Sequence, residues 1–584
     1  MTVKTSVKLG FAALLLATAH TQAVDLFYSA TGPGYYPWDY VPGWIIYQSG
    51  STPYNQLPTI NDDVLINATA PRAEDGHALT VTNGVFAECN RFVAGYQNYP
   101  GTAWFRLDGG SLTCASHFVV GRQYPGLATL ESGSLYSASN LYVSSQGGVG
   151  VMTNNGATVE AGSLFVANNV APACSVLVQN GGSLNLRSNV IVGEAGQGMA
   201  VLNGGSLDIT ENFYIGNVSG GIGIVTNAGA VITTSSFYVG CQAGAFGRLI
   251  HIGGTLAAKG DYLQIGRSNG GIGDCEMNAP FSATIMIIGT GLAPTIPGTG
   301  TVTVAENAVG TVKEFLRVNN GDLFMRGGRI HLQNVGNPNR TNLYVRTGED
   351  RRGLIRGWGY IGYTNENITL RMINNGQIIA DGEGEERELD LNMIAVVNND
   401  IPVAFTDTNG WYAVNKGCVR FPRTLQTFTP GVTYCWGDLY SKEVPELVNS
   451  VGFTFTTSVN AVIRGGFYAA DRSDIPAGLP AHLRPIGIWQ IGAFVEKVKL
   501  TKATFDGVSL TFRYDHTQLR PTDSNLRLYR YDGGAWVQVG SAAPGGDPLI
   551  STDAPLAPVS SGDYNIGWFA VMAVEQNGTL ISVR

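Results

Sequence analysis

Apolar and polar residues alternate along this chain in bursts of three to five positions, and the bursts recur. One phrase, apolar at its first and third places, ends at Gly95, Gly121, Ser144, Ala167, Gly193, Gly216, Gly240 and Gly266, in steps of 23 to 26 residues. A second phrase, Gly-Gly-Ser-Leu or a close variant, keeps step with it and ends at Leu112, Leu135, Val159, Leu184, Leu207, Val231 and Leu256. Alternation with a period of two over so few residues marks short strands, and no window of 11 residues carries a helical face. Two phrases locked to one period mark a repeat architecture. Strands this short, broken by Gly and Asn, wind as one coil per unit, each pairing in parallel with its copies at a spacing of about 4.8 Å. The predicted fold class is all-β: a parallel β-helix (β-solenoid).

The alternation also predicts which side chains face inward. Phe118 and Val120, Leu141 and Val143, Leu164 and Val166, Val190 and Val192, Phe213 and Ile215, Phe237 and Val239, and Leu263 and Ile265 form two interior columns. Each such burial contributes roughly 1.5 to 3 kcal/mol. A stack of coils is therefore stable where a single coil is not. Glycine in the second phrase closes a sharp turn. Just before it stands the column Asp108, Glu131, Asn155, Asn180, Asn203 and Asn227. Asn tolerates the left-handed conformation and its amide can bond to its copy one coil away, so the column predicts a turn ladder.

Beyond the repeat the pattern divides the chain. Residues 1–23, with Lys4 and Lys8 ahead of an apolar run from Leu9 to Ala19, read as a secretory signal peptide. Residues 24–60 crowd Trp38, Trp44 and several Tyr among Gly and Pro, which reads as an N-terminal cap over the first open coil. A sugar-binding platform is the other reading of that density. The solenoid is placed over 61–425, with regular repeats about 87–277, a rod of roughly 70 Å. Residues 430–584 carry longer strands at Val451, Val508, Leu526 and Trp568, with a hairpin signal at Asp532-Gly533-Gly534. They predict a C-terminal antiparallel β-sandwich domain.

Composition sharpens this picture. The formal net charge is −8, and two units lower without Lys4 and Lys8, which speaks against nucleic acid as a partner. The apolar run of the signal is too short for a transmembrane segment. The 77 glycines come without a triplet period and with 25 prolines, so collagen and disordered linkers are excluded. Seven cysteines are an odd number. Cys418 and Cys435, flanking a short loop with Pro422 and Pro430, are the candidate disulfide, and Cys114 reads as a small core residue.

The repeats resemble the family of β-solenoid repeats found in bacterial autotransporter-type and PEP-CTERM-associated surface proteins. The resemblance rests on Asn203-Gly204-Gly205-Ser206-Leu207 and on the apolar strand ending in Tyr238-Val239-Gly240, and covers roughly Ala87 to Gly266. It implies a secreted or cell-surface location. The sequence shows neither a Pro-Glu-Pro sorting tail nor a strand series for an outer-membrane barrel, so attachment is expected through the C-terminal domain, or the protein is released.

Two functions are carried forward. The first is a structural or adhesive rod that binds extracellular polysaccharide or another surface protein. It uses the outward column Val93, Val119, Tyr142, Phe165, Ile191, Tyr214, Tyr238 and Gln264, with Tyr142, Phe165, Tyr214 and Tyr238 as binding residues. A covering segment over that column is the structural alternative. The second is a polysaccharide lyase or glycoside hydrolase. Its catalytic candidates are Asp108 and Glu131, which neighbouring coils would bring near the spacing of a retaining glycosidase. Because Asn replaces both on later coils, the enzyme is the weaker expectation. Gly357-x-Gly-x-x-Gly362 matches a dinucleotide fingerprint in letters alone. Cys114-x-x-His117 has no second ligand pair for a metal. No cofactor is implied, and the oligomeric state is left open.

Overall fold

The structure is a computed structural model. It describes residues 25–28, 36–41, 44–46, 53–54, 56–66, 78–96, 102–169, 174–267, 270–290, 297–333, 341–346, 353–362, 371–374, 377–381, 388–392, 394–395, 411–420, 426–436, 451–468, 475–495, 501–543, 547–560 and 564–575. The signal-peptide expectation at 1–23 lies outside them. Among the described residues there is no α-helix, and a 3-10 turn at His516–Gln518 stands among strands.

The coil has three faces, as the sequence pattern requires. Face A stacks Ala78–Thr82, the first half of Ala103–Cys114, the first half of Gly126–Ser137, Gly150–Asn154, Ser175–Gln179, Gln197–Leu202, Ile222–Asn227 and their successors. Face B stacks the second-phrase strands, among them Thr158–Ala161 and Ser183–Leu186. Face C stacks the first-phrase strands Arg91–Ala94, Phe118–Val120, Leu141–Val143, Leu164–Val166 and Val190–Val192, and continues in the same way. All these pairings are parallel, and on face C they are in register: Phe118 beside Leu141, Leu164, Val190, Phe213, Phe237 and Leu263 in turn. These residues are fully buried. Phe92 stacks on Phe118 at 4.8 Å, and Phe213 lies 4.7 Å from Phe237. Although the sequence period blurs after Asn278, the three faces persist to Trp411–Arg420, the last coil strand.

The corner from face C to face A is built on two glycine columns. The first is the last residue of the first phrase, with φ near +70° at Gly193, Gly216, Gly240 and Gly266. A Cβ on any of these four would overlap a backbone carbonyl of Ile222, Phe246, Ile272 or Thr299. The second column opens face A at Gly126, Gly150, Gly198, Gly223, Gly247, Gly273 and Gly300, where a Cβ would press on the amide of the corner residue. Backbone packs directly on backbone there, which explains glycine physically in both columns.

The turn ladder forms from Glu131 to Asn203. Asn155 donates to Glu131 at 2.7 Å, Asn180 to Asn155 at 2.8 Å and Asn203 to Asn180 at 2.8 Å. Asn227 corrects the sequence reading, because it pairs with Leu202 and lies one place earlier in the coil. It is buried with Asn154, Gln179 and His251, and its amide caps the turn at Ala230 while meeting His251 Nδ1 at 3.2 Å.

Both ends of the stack are engaged. At the N-terminal end Asp25–Tyr28 pairs in parallel with Asp63–Ile66 and antiparallel with Trp44–Ile46. Trp38 and Trp44 pack edge to face at 5.0 Å inside the core. At the other end Gly417 to Arg420 pair antiparallel with Phe467 to Arg464. The ladder thus passes into an antiparallel sheet containing Val459–Tyr468, Arg484–Phe494, Gly567–Glu575, Asp523–Asp532 and Ala535–Ala542. A second sheet joins Thr433–Trp436, Val451–Phe455, Val508–Arg513 and Leu549–Ser551. Phe512 bridges the two, 4.9 Å from Trp489 and 5.2 Å from Phe569. The hairpin signal turns at Gly533 and Gly534, both with positive φ.

Candidate functional site on the outer side of face C

The outward column of face C is less exposed than its alternation implies. Val93 is fully buried, and Val119, Ile191, Tyr238 and Gln264 are also buried, while Tyr142, Phe165 and Tyr214 are half-buried. The reason is mutual cover. At strand spacing the column's own side chains stack: Tyr142 on Phe165 at 5.0 Å with planes 16° apart, and Tyr214 on Tyr238 at 5.2 Å with planes 14° apart. Stacked along the rod, these rings shield one another's faces. Of the four residues expected to bind, Tyr142 lines the cleft described next, and Phe165, Tyr214 and Tyr238 do not. Residues just past the corner add further cover. Arg267 lies over the Tyr238 ring at 4.6 Å and Arg122 over the Tyr96 ring at 5.0 Å.

A cleft opens in this wall among the described residues. It holds about 230 Å³ and is lined by Arg91, Val93, His117, Val119, Arg122, Tyr142, Ser145, Gln146, Asn168 and Asn169. Face C supplies the floor, and the corner segments after Gly121, Ser144 and Ala167 supply the wall. Arg91 is paired with Asp63 at 2.6 Å. Arg122 donates through Nε to Gln146 Oε1 at 2.9 Å, and its Nη1 has no hydrogen-bond partner. His117 Nδ1 accepts from the Asn140 amide at 3.3 Å, and its ring meets Tyr142 edge to face at 5.6 Å. Burial, with Arg91 nearby, lowers the His117 pKa and holds the ring neutral. The Tyr142 hydroxyl accepts from Asn140 Nδ2 at 3.0 Å.

The backbone around the cleft is unusual. Four described non-glycine residues have positive φ, and three of them, Ser144 at 84°, Gln146 at 51° and Ala167 at 62°, are in or beside this wall. Ser144 and Ala167 stand where the other coils of the repeat have glycine. Each such residue costs roughly 1 to 3 kcal/mol, and such outliers gather at binding sites.

Asp108 and Glu131 are brought together, but as members of the turn. Arg106 lies between them, 3.1 Å from Asp108 and 3.9 Å from Glu131, and Glu131 also accepts from Asn155. The pairing register shifts here, so that Asp108 stands beside Ser132. Their oxygens are engaged in holding the ladder's end.

Cys114 and His117 are separated, Cys114 in the core and His117 on the outer side. Among the described residues no three His, Cys, Asp or Glu gather as a metal site. Cys114 instead meets Cys89, its partner on the next coil, with 3.6 Å between the sulfurs. Burial first, and then that neighbour, raise the Cys89 thiol pKa. Sequence reasoning missed this contact because 25 residues separate the two, although 25 is one coil. Cys418 and Cys435 stand on Trp411–Arg420 and Thr433–Trp436, and their side chains lie outside what the structure describes. The dinucleotide-like letters at 357–362 form a strand, Leu354–Gly362.

Sequence reasoning also missed the outward column of face A. Leu127, Val151, Val176, Met199 and Ile224 are half-exposed on successive coils. The signal was available in segments such as Gly198-Met199-Ala200-Val201-Leu202, which are apolar at both parities.

Comparison with protein-family models, curated proteins and solved structures gave no match.

Proposed function

We propose that this chain is an exported, rod-like scaffold of the kind its repeat phrases resemble, and that it holds extracellular polysaccharide along its side. The observation that carries the reading is the cleft on face C, lined by polar and basic side chains. The wall supports it: an in-register parallel stack keeps outer side chains at a fixed spacing, which suits a long polymer better than a small free ligand. The half-exposed aliphatic column of face A adds a second side available for contact. The signal-like residues 1–23 support export. No helix among the described residues is long and apolar enough to cross a membrane.

Co-sedimentation of the full chain with a panel of neutral and acidic polysaccharides tests the reading. Retention without release of reducing ends or unsaturated products is expected. Retention followed by turnover would instead establish the enzyme, and failure to sediment with any glycan would end the polysaccharide reading.

A further inference from the structure

Resting on that reading, the geometry points to a ligand class for the cleft: we propose that it seats a carboxylate-bearing sugar unit of an acidic polysaccharide, with Arg122 as the anion contact. The chain as a whole is acidic, at −8, yet no Asp or Glu lines this cleft, whereas Arg91, His117 and Arg122 do. Asp63 neutralises Arg91. Arg122 has no carboxylate partner among the described residues, so its positive charge is uncompensated at the wall. It is also positioned, by Gln146 on one side and the Tyr96 ring on the other. A guanidinium fixed in this way loses little freedom on taking a carboxylate as its charge partner.

The remaining lining fits the rest of a sugar. Ser145 adds a hydroxyl to the lining, beside Asn168 and Asn169. Tyr142 also lines the cleft, its ring stacked on Phe165. The volume, about 230 Å³, is below the range of roughly 300 to 1,000 Å³ common for drug-sized ligands, and suits one ring of a chain that continues outside. The left-handed backbone at Ser144, Gln146 and Ala167 shapes the wall in which Gln146 meets Arg122. This turns the strain into a means of aiming the cation.

Titration calorimetry of the full chain with oligogalacturonate, and with a neutral oligosaccharide of equal length, tests the proposal. Binding of the acidic oligomer, weakening with added salt, is expected, with little binding of the neutral one. Arg122→Gln should weaken the acidic oligomer at least tenfold. Because Arg122 also packs on Tyr96, Ser145→Glu is the second variant. It places a carboxylate in the lining without removing any packing, and should abolish acidic binding while circular dichroism and the melting midpoint stay unchanged. Equal binding of both oligomers, or acidic binding unaffected by Ser145→Glu in a folded protein, would overturn the carboxylate assignment and leave the polysaccharide scaffold standing. Binding of neither oligomer would overturn the carboxylate assignment. The scaffold reading falls separately, if the chain sediments with no polysaccharide.

Discussion

At the corner from face C to face A, the coils ending in Gly193, Gly216, Gly240 and Gly266 and those ending in Ser144 and Ala167 solve one problem differently. At these glycine coils a Cβ would overlap the next strand's carbonyl, so the corner admits glycine alone. The other two keep the left-handed turn but carry a side chain through it, and the cleft opens beside them. Regularity makes the rod, and the cleft lies beside a local departure from it. A strained position in a repeat marks where the coil departs from its own rule.

The comparison can be broken most severely at a glycine corner. Gly240→Ala combines φ of 69° with overlap on the Ile272 carbonyl, and should cost about 3 kcal/mol or more. Gly220→Ala has a similar φ, 81°, but nothing within 4 Å of its Cβ, and should cost about 1 kcal/mol. Denaturant midpoints of the two variants separate packing from conformation, and equal losses would refute the packing account.

An effect of intermediate size is expected from the interior of the regular coils. Burial lowers the pKa of His251, against a smaller opposing effect from its bond to the Pro280 carbonyl at 2.8 Å. Its folded pKa thus lies below the unfolded value of about 6.5. The unfolded state takes up the proton first, so this stability is complete above about pH 6.5 and is lost as pH falls through the folded pKa. His251→Asn, which places in this column the residue found at Asn154 and Asn227, should flatten the melting midpoint against pH across that window.

Smaller still is the turn ladder. Asn180→Ala removes one bond on each side and should cost about 0.5 to 1.5 kcal/mol, because these amides are exposed. Smallest in stability is Ala167→Gly. Relief of the left-handed strain and the greater freedom of the unfolded glycine nearly cancel, leaving a change within about 1 kcal/mol. If the strain shapes the cleft, oligogalacturonate affinity nevertheless falls. A variant that binds as before would detach the strain from the site.

The interior columns were legible in the sequence because alternation, period and burial agree at residues such as Phe118, Leu141 and Leu164. The sandwich strands were legible for the same reason, and Gly533-Gly534 marked its hairpin. The glycine column that opens face A was equally visible, in Gly223, Gly247 and Gly273, yet it has no side chain to attract attention. Asn227 was misassigned because units of unequal length carry the same letters one place out of step. The cleft was hidden for a deeper reason. Alternation shows that Tyr142 points outward but not that Phe165 will cover it, and Ser144 looks like a neutral variant of glycine until its φ is known. Arg122 and Gln146 meet only because one coil lies on the next.

The antiparallel pairing of Gly417–Arg420 with Phe467–Arg464 has a consequence for assembly. A coil edge with bare amides and carbonyls is a growth point, onto which another copy could splice and lengthen the filament. Here the strand that would serve as that splice is already taken by the chain's own next domain, and a reversed strand cannot continue a parallel stack. Along Gly417–Arg420 the parallel stack therefore ends within the molecule.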